Sequence, residues 1–89
     1  MRVDNFLSDL GIIKRRTVAK ELADGGHIKV NDQRAKPAHK LKAGDIVEVT
    51  GKQHIKIKVL AIPVKSVPRD QRSAFFEIIE HRHNIDREV

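Results

Sequence analysis

Three consecutive cationic residues, Lys14, Arg15 and Arg16, stand directly before an apolar stripe with helical spacing. A helix that begins here presents unpaired backbone N–H groups and the positive end of its dipole, and both attract phosphate. Arginine adds a planar fork that can bind two phosphate oxygens at once. We therefore predict phosphate contacts at this helix start, with Arg16 as the principal residue. Lys20 lies one helical turn further along the same face.

The positive charge of the chain is concentrated in one part of it. The 18 Lys and Arg residues outnumber the 12 acidic residues and give a net charge of +6. Residues 12–42 hold 9 of these cations against 3 acids, whereas residues 67–89 hold 4 against 5. A concentrated positive field indicates a polyanionic partner, most often nucleic acid. The alternative is a basic surface that serves only solubility.

Hydrophobic spacing predicts the elements that position these cations. Apolar residues recur with helical spacing over residues 3–10, and Gly11 is suited to close that first helix. A second helix is predicted over residues 15–24, ended by the pair Gly25-Gly26. Apolar and polar residues then alternate, which predicts short antiparallel strands. These strands are expected over residues 27–30, 33–35, 46–50 and 54–59.

The last quarter of the chain is predicted to be helical. Pro63 and Pro68 bracket a linker, and a helix is expected from Pro68 to about His83. The expected fold class is α+β, with two N-terminal helices packed on a small antiparallel sheet and a C-terminal helix. We expect one domain over residues 1–62, with residues 63–89 as a linker and a helix that packs on it or extends from it.

The C-terminal apolar stripe has two interpretations. Phe75, Ile78 and Ile79 share one face of the expected helix. They either pack back on the sheet and enlarge a thin core, or they contact a protein partner or a second copy of the chain. The second interpretation makes the protein an interaction adaptor whose basic patch only solvates it.

A set of short motifs follows a fixed order and spacing over residues 2–49. The matching residues are Arg2-Val3-Asp4, Phe6-Leu7, Gly11, Lys14-Arg15-Arg16, Ala19, Leu22, Gly26-His27-Ile28, Val30-Asn31, Lys36-Pro37 and Gly44-Asp45. Together they resemble the αL RNA-binding domain named after small-subunit ribosomal protein S4. Within that family the residues 13–21 and 35–37 are most similar to small stand-alone members that associate with ribosomes.

The resemblance implies a function in translation. It implies binding to rRNA and tRNA on a large ribosomal subunit that carries a stalled peptidyl-tRNA, in ribosome-associated quality control. It also places Arg2 on the RNA-facing surface, where a structural salt bridge is the alternative role for this residue. Four cations near the predicted hairpin would extend the patch. They are Lys29, Arg34, Lys36 and Lys40.

Two residues depart from the family pattern. Asp32 stands where Gly usually follows Val-Asn, and it adds a negative charge near the proposed surface while tolerating a left-handed backbone. Arg15 stands where many members have Ser, so a helix cap worth about 1 kcal/mol is exchanged for a further cation. This exchange favours phosphate contact over helix stability.

Composition restricts the remaining function classes. The chain has no Trp and no Tyr, so base-stacking platforms are not expected and binding should depend on phosphates and RNA shape. It has no Cys and no ligand-spaced His cluster, and we expect neither a metal nor a cofactor. No nucleophile motif is present, so we expect a protein that is not an enzyme. The N-terminal residues do not resemble a signal peptide, and no apolar run is long enough to span a membrane. We therefore expect a cytoplasmic location. Duplex DNA remains an alternative partner, because it shares the charge argument.

Overall fold

Two short helices precede a five-stranded sheet in this computed structural model, which describes residues 1–51 and 53–83. The helices are α1 (Val3–Asp9) and α2 (Arg16–Asp24). The strands are β1 (Ile28–Val30), β2 (Gln33–Arg34), β3 (Ile46–Val49), β4 (Gln53–Val59) and β5 (Phe76–His83), with a 3-10 helix (Arg69–Ala74) before β5. Neither helix of this described part is long and apolar enough to cross a membrane.

The described strands form one antiparallel sheet in the order β2-β1-β3-β4-β5. Val47 on β3 lies opposite Val30 on β1 and Ile57 on β4, and all three are buried. Alternate residues of a strand point to opposite faces, so these positions form one apolar face. Phe6 and Leu7 of α1 are fully buried in the same core. The predicted α+β arrangement of two helices on a small antiparallel sheet is confirmed.

The two helices approach each other through small residues. Ala19 and Ala23 are the buried residues of α2, and this helix contacts both α1 and β1. Each fully buried Phe or Leu side chain of α1 contributes about 1.5–3 kcal/mol relative to its exposure. Gly11 follows α1 with a φ of +78°, and its N–H donates to the carbonyl of Ser8 at 3.1 Å. Gly11 therefore closes α1, as predicted.

The prediction of a C-terminal helix is wrong. Residues 69–74 form a 3-10 helix, and Phe76–His83 form β5, which pairs with β4. Phe76 lies opposite Val59, and Ile78 lies opposite Ile57, with a register shift between Lys56 and Ile57. The alternation of Phe76 and Ile78 matches the apolar face of β4, and pairing satisfies the backbone groups along that side of β4. Strand pairing therefore prevails over the helical spacing of the same residues.

Candidate nucleic-acid interface

The buried carboxylate of Asp4 lies beside two arginine side chains at the start of α1. Arg2 Nε donates to Asp4 Oδ1 at 3.1 Å, and Arg2 Nη2 donates to Asp4 Oδ2 at 2.9 Å. Arg16, the first residue of α2, approaches the same Oδ2 through its Nε at 3.8 Å. The Asp4 side chain is 1% exposed, whereas those of Arg2 and Arg16 are 39% and 58% exposed. Two hydrogen bonds thus hold the guanidinium of Arg2, whereas Arg16 is attracted to Asp4 by a longer ion pair, and both groups remain open to solvent.

The charges of this arrangement do not cancel. One carboxylate faces two guanidinium groups, so a net positive charge remains. The desolvation of a buried carboxylate offsets much of the Coulomb attraction, and the main effect of the pairing is to restrict the orientations of the two arginines. Arg2 therefore has the structural salt bridge that was one of its two predicted roles. Its exposed fraction keeps RNA contact, the other role, as a prediction.

A loop from the hairpin side lies against the chain start and adds a further cation. The N–H of Val3 donates to the carbonyl of His39 at 2.8 Å, and the N–H of Leu41 donates to the carbonyl of Met1 at 2.9 Å. Arg2 and Lys40 are partners in an antiparallel bridge, which places their side chains on the same side. We call Asp4, Arg2, Arg16 and Lys40 the Asp4 cluster.

Lys36 lies on the same loop as Lys40. It begins the turn in which the N–H of His39 donates to the carbonyl of Lys36 at 3.0 Å, and it is exposed. Lys36 and Lys40 therefore extend the cationic surface at the chain start and not along the hairpin strands.

The start of α2 carries the remaining predicted cations. Arg15 occupies the N-cap position with extended backbone and makes no side-chain cap hydrogen bond, as its residue type implies. Lys14, Arg15 and Lys20 are all exposed. Lys14 also lines a groove on the other flank of α2, together with Val18 and Leu22. The exposed cations of α2 therefore adjoin the Asp4 cluster through Arg16.

Two of the predicted cations lie elsewhere. Lys29 pairs across the sheet with Glu48 and Arg34, and it projects from the face opposite the buried Ile28 and Val30. The guanidinium of Arg34 lies against Gly26, close to where a Cβ would be, at the far end of α2 from Arg16. The structure does not bring Lys29 and Arg34 next to the Asp4 cluster. Their contact with RNA remains a prediction.

Two residues that shape this surface, Asp4 and Arg72, were not predicted from the sequence. The sequence shows Asp4 only as part of the Arg2-Val3-Asp4 motif, and its burial beside Arg2 and Arg16 becomes visible only in three dimensions. Arg72 of the 3-10 helix places its guanidinium over Gly11, with Nη1 2.8 Å from the position of an added Cβ. The Nε of Arg72 is buried and has no hydrogen-bond partner in the described part of the chain. Arg72 thus covers the turn that leads into Lys14.

The predicted C-terminal apolar stripe is divided between core and surface. Phe75 is half-buried and packs against the hydrophobic core. Ile78 and Ile79 are 53% and 51% exposed on β5. The packing interpretation therefore applies to Phe75, and the exposed isoleucines remain available for contact with another molecule.

Three of the described histidines, His27, His54 and His81, form side-chain hydrogen bonds. His54 Nε2 lies 2.6 Å from Glu48 Oε2, and Arg82 Nη2 donates to His54 Nδ1 at 3.1 Å. Because Nδ1 accepts from Arg82, the ring proton lies on Nε2 and is donated to Glu48. Within residues 1–51 and 53–83, no group of three His, Asp or Glu side chains is arranged to hold a metal ion.

Comparison with known proteins agrees with this fold. Residues 1–47 match the family model described as S4 domain. A relative from Streptococcus pneumoniae, named RQC P-site tRNA stabilizing factor, is 45% identical over 80 residues, which are 89% of this chain and 90% of the relative. A relative of the same name from Helicobacter pylori is 37% identical over 71 residues, which are 78% of this chain and 84% of the relative.

A solved structure shares the fold. The trimeric structure of Vibrio cholerae Heat Shock Protein 15 superposes with a TM-score of 0.78 at 23% identity, covering 88% of this chain and 80% of that one. At this level of identity the likeness concerns the fold alone. The family model covers more than half of the 89 residues, and the relatives named above match most of their own length, so this chain belongs to the S4 domain family.

Proposed function

We propose that this protein is a non-catalytic RNA-binding factor that acts on the large ribosomal subunit in quality control of stalled translation. Its targets are rRNA and the tRNA of a stalled peptidyl-tRNA complex, which places it in the cytoplasm. One observation carries the proposal. Arg2 and Arg16 both face a single buried carboxylate, which binds Arg2 through two hydrogen bonds, and both stay exposed beside Lys40 and the cations at the start of α2.

The geometry suits phosphate better than bases. A guanidinium held in position loses less side-chain entropy on binding, so it binds a phosphate more tightly than a free one. Of the three Phe residues, Phe6 is fully buried and Phe75 and Phe76 are half-buried, so none offers an open stacking platform. We therefore expect recognition of the backbone and shape of folded RNA.

The relatives support the cellular setting of this proposal. Two of the matched proteins carry the name RQC P-site tRNA stabilizing factor. A small ribosomal subunit protein uS4 from Rhodopirellula baltica is also 34% identical to this chain over 68 residues. Those names describe a stabilising role and not a reaction, which agrees with a protein that is not an enzyme.

The test is co-sedimentation with 50S subunits that carry peptidyl-tRNA, at fixed salt concentration. Arg16→Glu is expected to abolish co-sedimentation, because it replaces an oriented cation with an anion beside Asp4. Arg69→Glu is the matched control, since Arg69 is exposed on the 3-10 helix and outside the Asp4 cluster. Equal binding of the two variants would reject the proposed interface.

A protein-interaction adaptor is the second candidate function, and the exposure of Ile78 and Ile79 favours it. The double substitution Ile78→Ser and Ile79→Ser removes this apolar surface without touching the Asp4 cluster. If that variant loses 50S association while Arg16→Glu keeps it, contact with a protein partner explains the association. Competition between folded RNA and duplex DNA at one salt concentration tests the DNA alternative.

A further inference from the structure

A recess next to the hairpin turn has the chemistry of a nucleotide site. It is lined by Val30, Asn31, Gln33, His39, Lys40, Lys42 and Asp45, and its volume is about 440 Å³. This volume lies within the range of about 300–1,000 Å³ that is usual for small-molecule sites. Lys40 links the recess to the Asp4 cluster, since Lys40 is also the bridge partner of Arg2.

The frame of the recess is built from groups that satisfy one another. Asp45 is 4% exposed, and its carboxylate accepts from the N–H of Lys42 at 3.0 Å and from Asn31 Nδ2 at 3.1 Å. Asn31 Oδ1 in turn accepts from the N–H of Ile46 at 3.0 Å. Asn31 has a φ of 54°, a left-handed conformation that Asn tolerates. These bonds hold the turn and the loop after Lys40 in fixed relation.

The other polar groups of the recess have no such partners. Within the part of the chain that the structure describes, the side chains of Gln33, Lys40 and Lys42 form no hydrogen bond or ion pair. His39 is exposed beside them. Because the buried carboxylate is already occupied by two donors, two ammonium groups, an imidazole and an amide remain available to a ligand.

We propose that this recess binds one unpaired nucleotide of an RNA. Lys40 and Lys42 contact its phosphate, and the amide of Gln33, which can donate and accept, contacts the edge of its base. The inference rests on the proposed RNA-binding function and extends it, because the Asp4 cluster reads only phosphates. It makes Gln33 and Lys42 binding residues in addition to the cations predicted from the sequence.

The first test is a 1H–15N NMR titration of the full chain with 5′-AMP, 5′-GMP, 5′-CMP and 5′-UMP, and separately with inorganic phosphate. A nucleotide site predicts saturable shifts at Gln33, Lys40 and Lys42 for at least one nucleotide below about 10 mM, a range that covers millimolar affinities. Phosphate alone is expected to shift the two lysines and to leave Gln33 unchanged. Equal shifts for phosphate and for all nucleotides, or no saturable shift, would overturn the proposal.

The second test distinguishes an RNA nucleotide from a free one. It compares an RNA hairpin with one bulged nucleotide and the same hairpin without the bulge. We expect tighter binding to the bulged RNA, a loss of this preference in Gln33→Leu, and a weakening of about threefold to tenfold in Lys42→Ala with a salt slope reduced by about one. Gln71→Leu and Lys65→Ala are the controls, since both residues are exposed and outside the recess.

The outcomes separate this inference from the proposed function. Binding of both hairpins with equal affinity and no nucleotide shifts would reject the recess and leave the RNA-binding function intact. Nucleotide shifts at Gln33 without binding of either hairpin or of ribosomal subunits would support a site for free nucleotides and reject the proposed function. Saturation of the recess by an acidic peptide and not by any nucleotide would reject the nucleotide assignment.

Discussion

The guanidinium of Arg2 and the carboxylate of Asp4, two residues further along the chain, are joined by hydrogen bonds of 3.1 and 2.9 Å. The carboxylate is buried and the guanidinium is partly exposed. This pairing makes a flexible terminal cation into an oriented one, and it lets Arg16 share the same carboxylate. We therefore expect an acidic residue to support the binding of a polyanion.

Asp4→Asn tests this relationship. If net charge alone governed binding, removal of an acid would strengthen RNA binding. We expect the reverse, because ordering a long side chain costs about 0.5–1.5 kcal/mol and Arg2 loses its charged anchor, so affinity should fall about threefold to tenfold. Unfolding should also become easier by about 1–3 kcal/mol, because the hydrogen bonds of Arg2 lose a charged acceptor.

The measurements are urea unfolding and RNA binding at one salt concentration. Asp9→Asn is the control, because Asp9 is an exposed acid at the other end of α1. A gain of affinity in Asp4→Asn equal to that in Asp9→Asn would show that Asp4 acts only through its charge.

Gly11 and Arg72 are expected to behave as a coupled pair. Gly11→Ala adds a Cβ at a φ of +78° and 2.8 Å from Arg72 Nη1, so it should destabilise the protein. The left-handed conformation alone costs roughly 1–2 kcal/mol for an L residue, and displacement of Arg72 adds to that. Arg72→Ala in the Gly11→Ala background should remove the steric part of this destabilisation.

A double-mutant cycle in unfolding free energy measures this coupling, which we expect to be about 0.5 kcal/mol, because the flexible end of Arg72 can shift aside. Arg69→Ala replaces Arg72→Ala in the control cycle. Additive effects of Gly11→Ala and Arg72→Ala would mean that the two residues do not contact each other in solution.

Most of the fold could be predicted because its signals are local. The alternation of Ile55, Ile57 and Val59 marks β4 without reference to any other segment. Gly11 and the Gly25-Gly26 pair mark the helix ends in the same way. The hydrophobic period and the positions of the glycines therefore sufficed to predict the helices and strands within the first 59 residues.

The C-terminal segment could not be assigned from local spacing. Phe75, Ile78 and Ile79 fit a helical stripe, and Phe76 and Ile78 fit a strand equally well. The choice depends on β4, whose outer edge accepts β5 as a partner. That pairing joins residues far apart in sequence, and the hydrophobic spacing within one segment carries no information about it.

The sequence predicted a set of cations for the candidate site, but not how they are arranged in space. Lys36 and Lys40 adjoin Arg2 because residues 37–41 fold back on residues 1–4, and no pattern in the sequence specifies that contact. The same contact helps to bury Asp4. The alternation of Ile28, Lys29 and Val30, by contrast, already indicates that Lys29 faces away from the core.

Salt dependence separates the cations that adjoin the Asp4 cluster from those that do not. Lys40→Ala should reduce the log–log salt slope of RNA binding by about one, as expected for the loss of one phosphate contact. The sequence predicts RNA contact by Lys29 as well, but its position on the opposite face of the sheet beside Glu48 leads us to expect an unchanged slope in Lys29→Ala. The slope of the unaltered protein should be roughly −3 to −5 for four to six phosphates.

Binding isotherms at four or more salt concentrations give these slopes. Both substitutions remove one exposed lysine, so each serves as the control for the other. Equal reductions in slope for Lys29→Ala and Lys40→Ala would indicate that RNA wraps around the sheet and contacts both faces.

Asp45 is expected to govern both stability and the recess near the hairpin turn. Asp45→Ala leaves the N–H of Lys42 and Asn31 Nδ2 without their acceptor. A hydrogen bond to a charged group contributes about 1.5–3 kcal/mol, so the free energy of unfolding should fall by roughly 2 kcal/mol or more. The turn at Asn31 should lose its fixed geometry, and nucleotide-induced shifts at Gln33 should disappear.

Asp70→Ala, at an exposed acid of the 3-10 helix, should change neither the free energy of unfolding nor the nucleotide-induced shifts. Retention of the nucleotide shifts in a destabilised Asp45→Ala protein, measured well below its unfolding temperature, would show that the recess does not depend on this buried carboxylate.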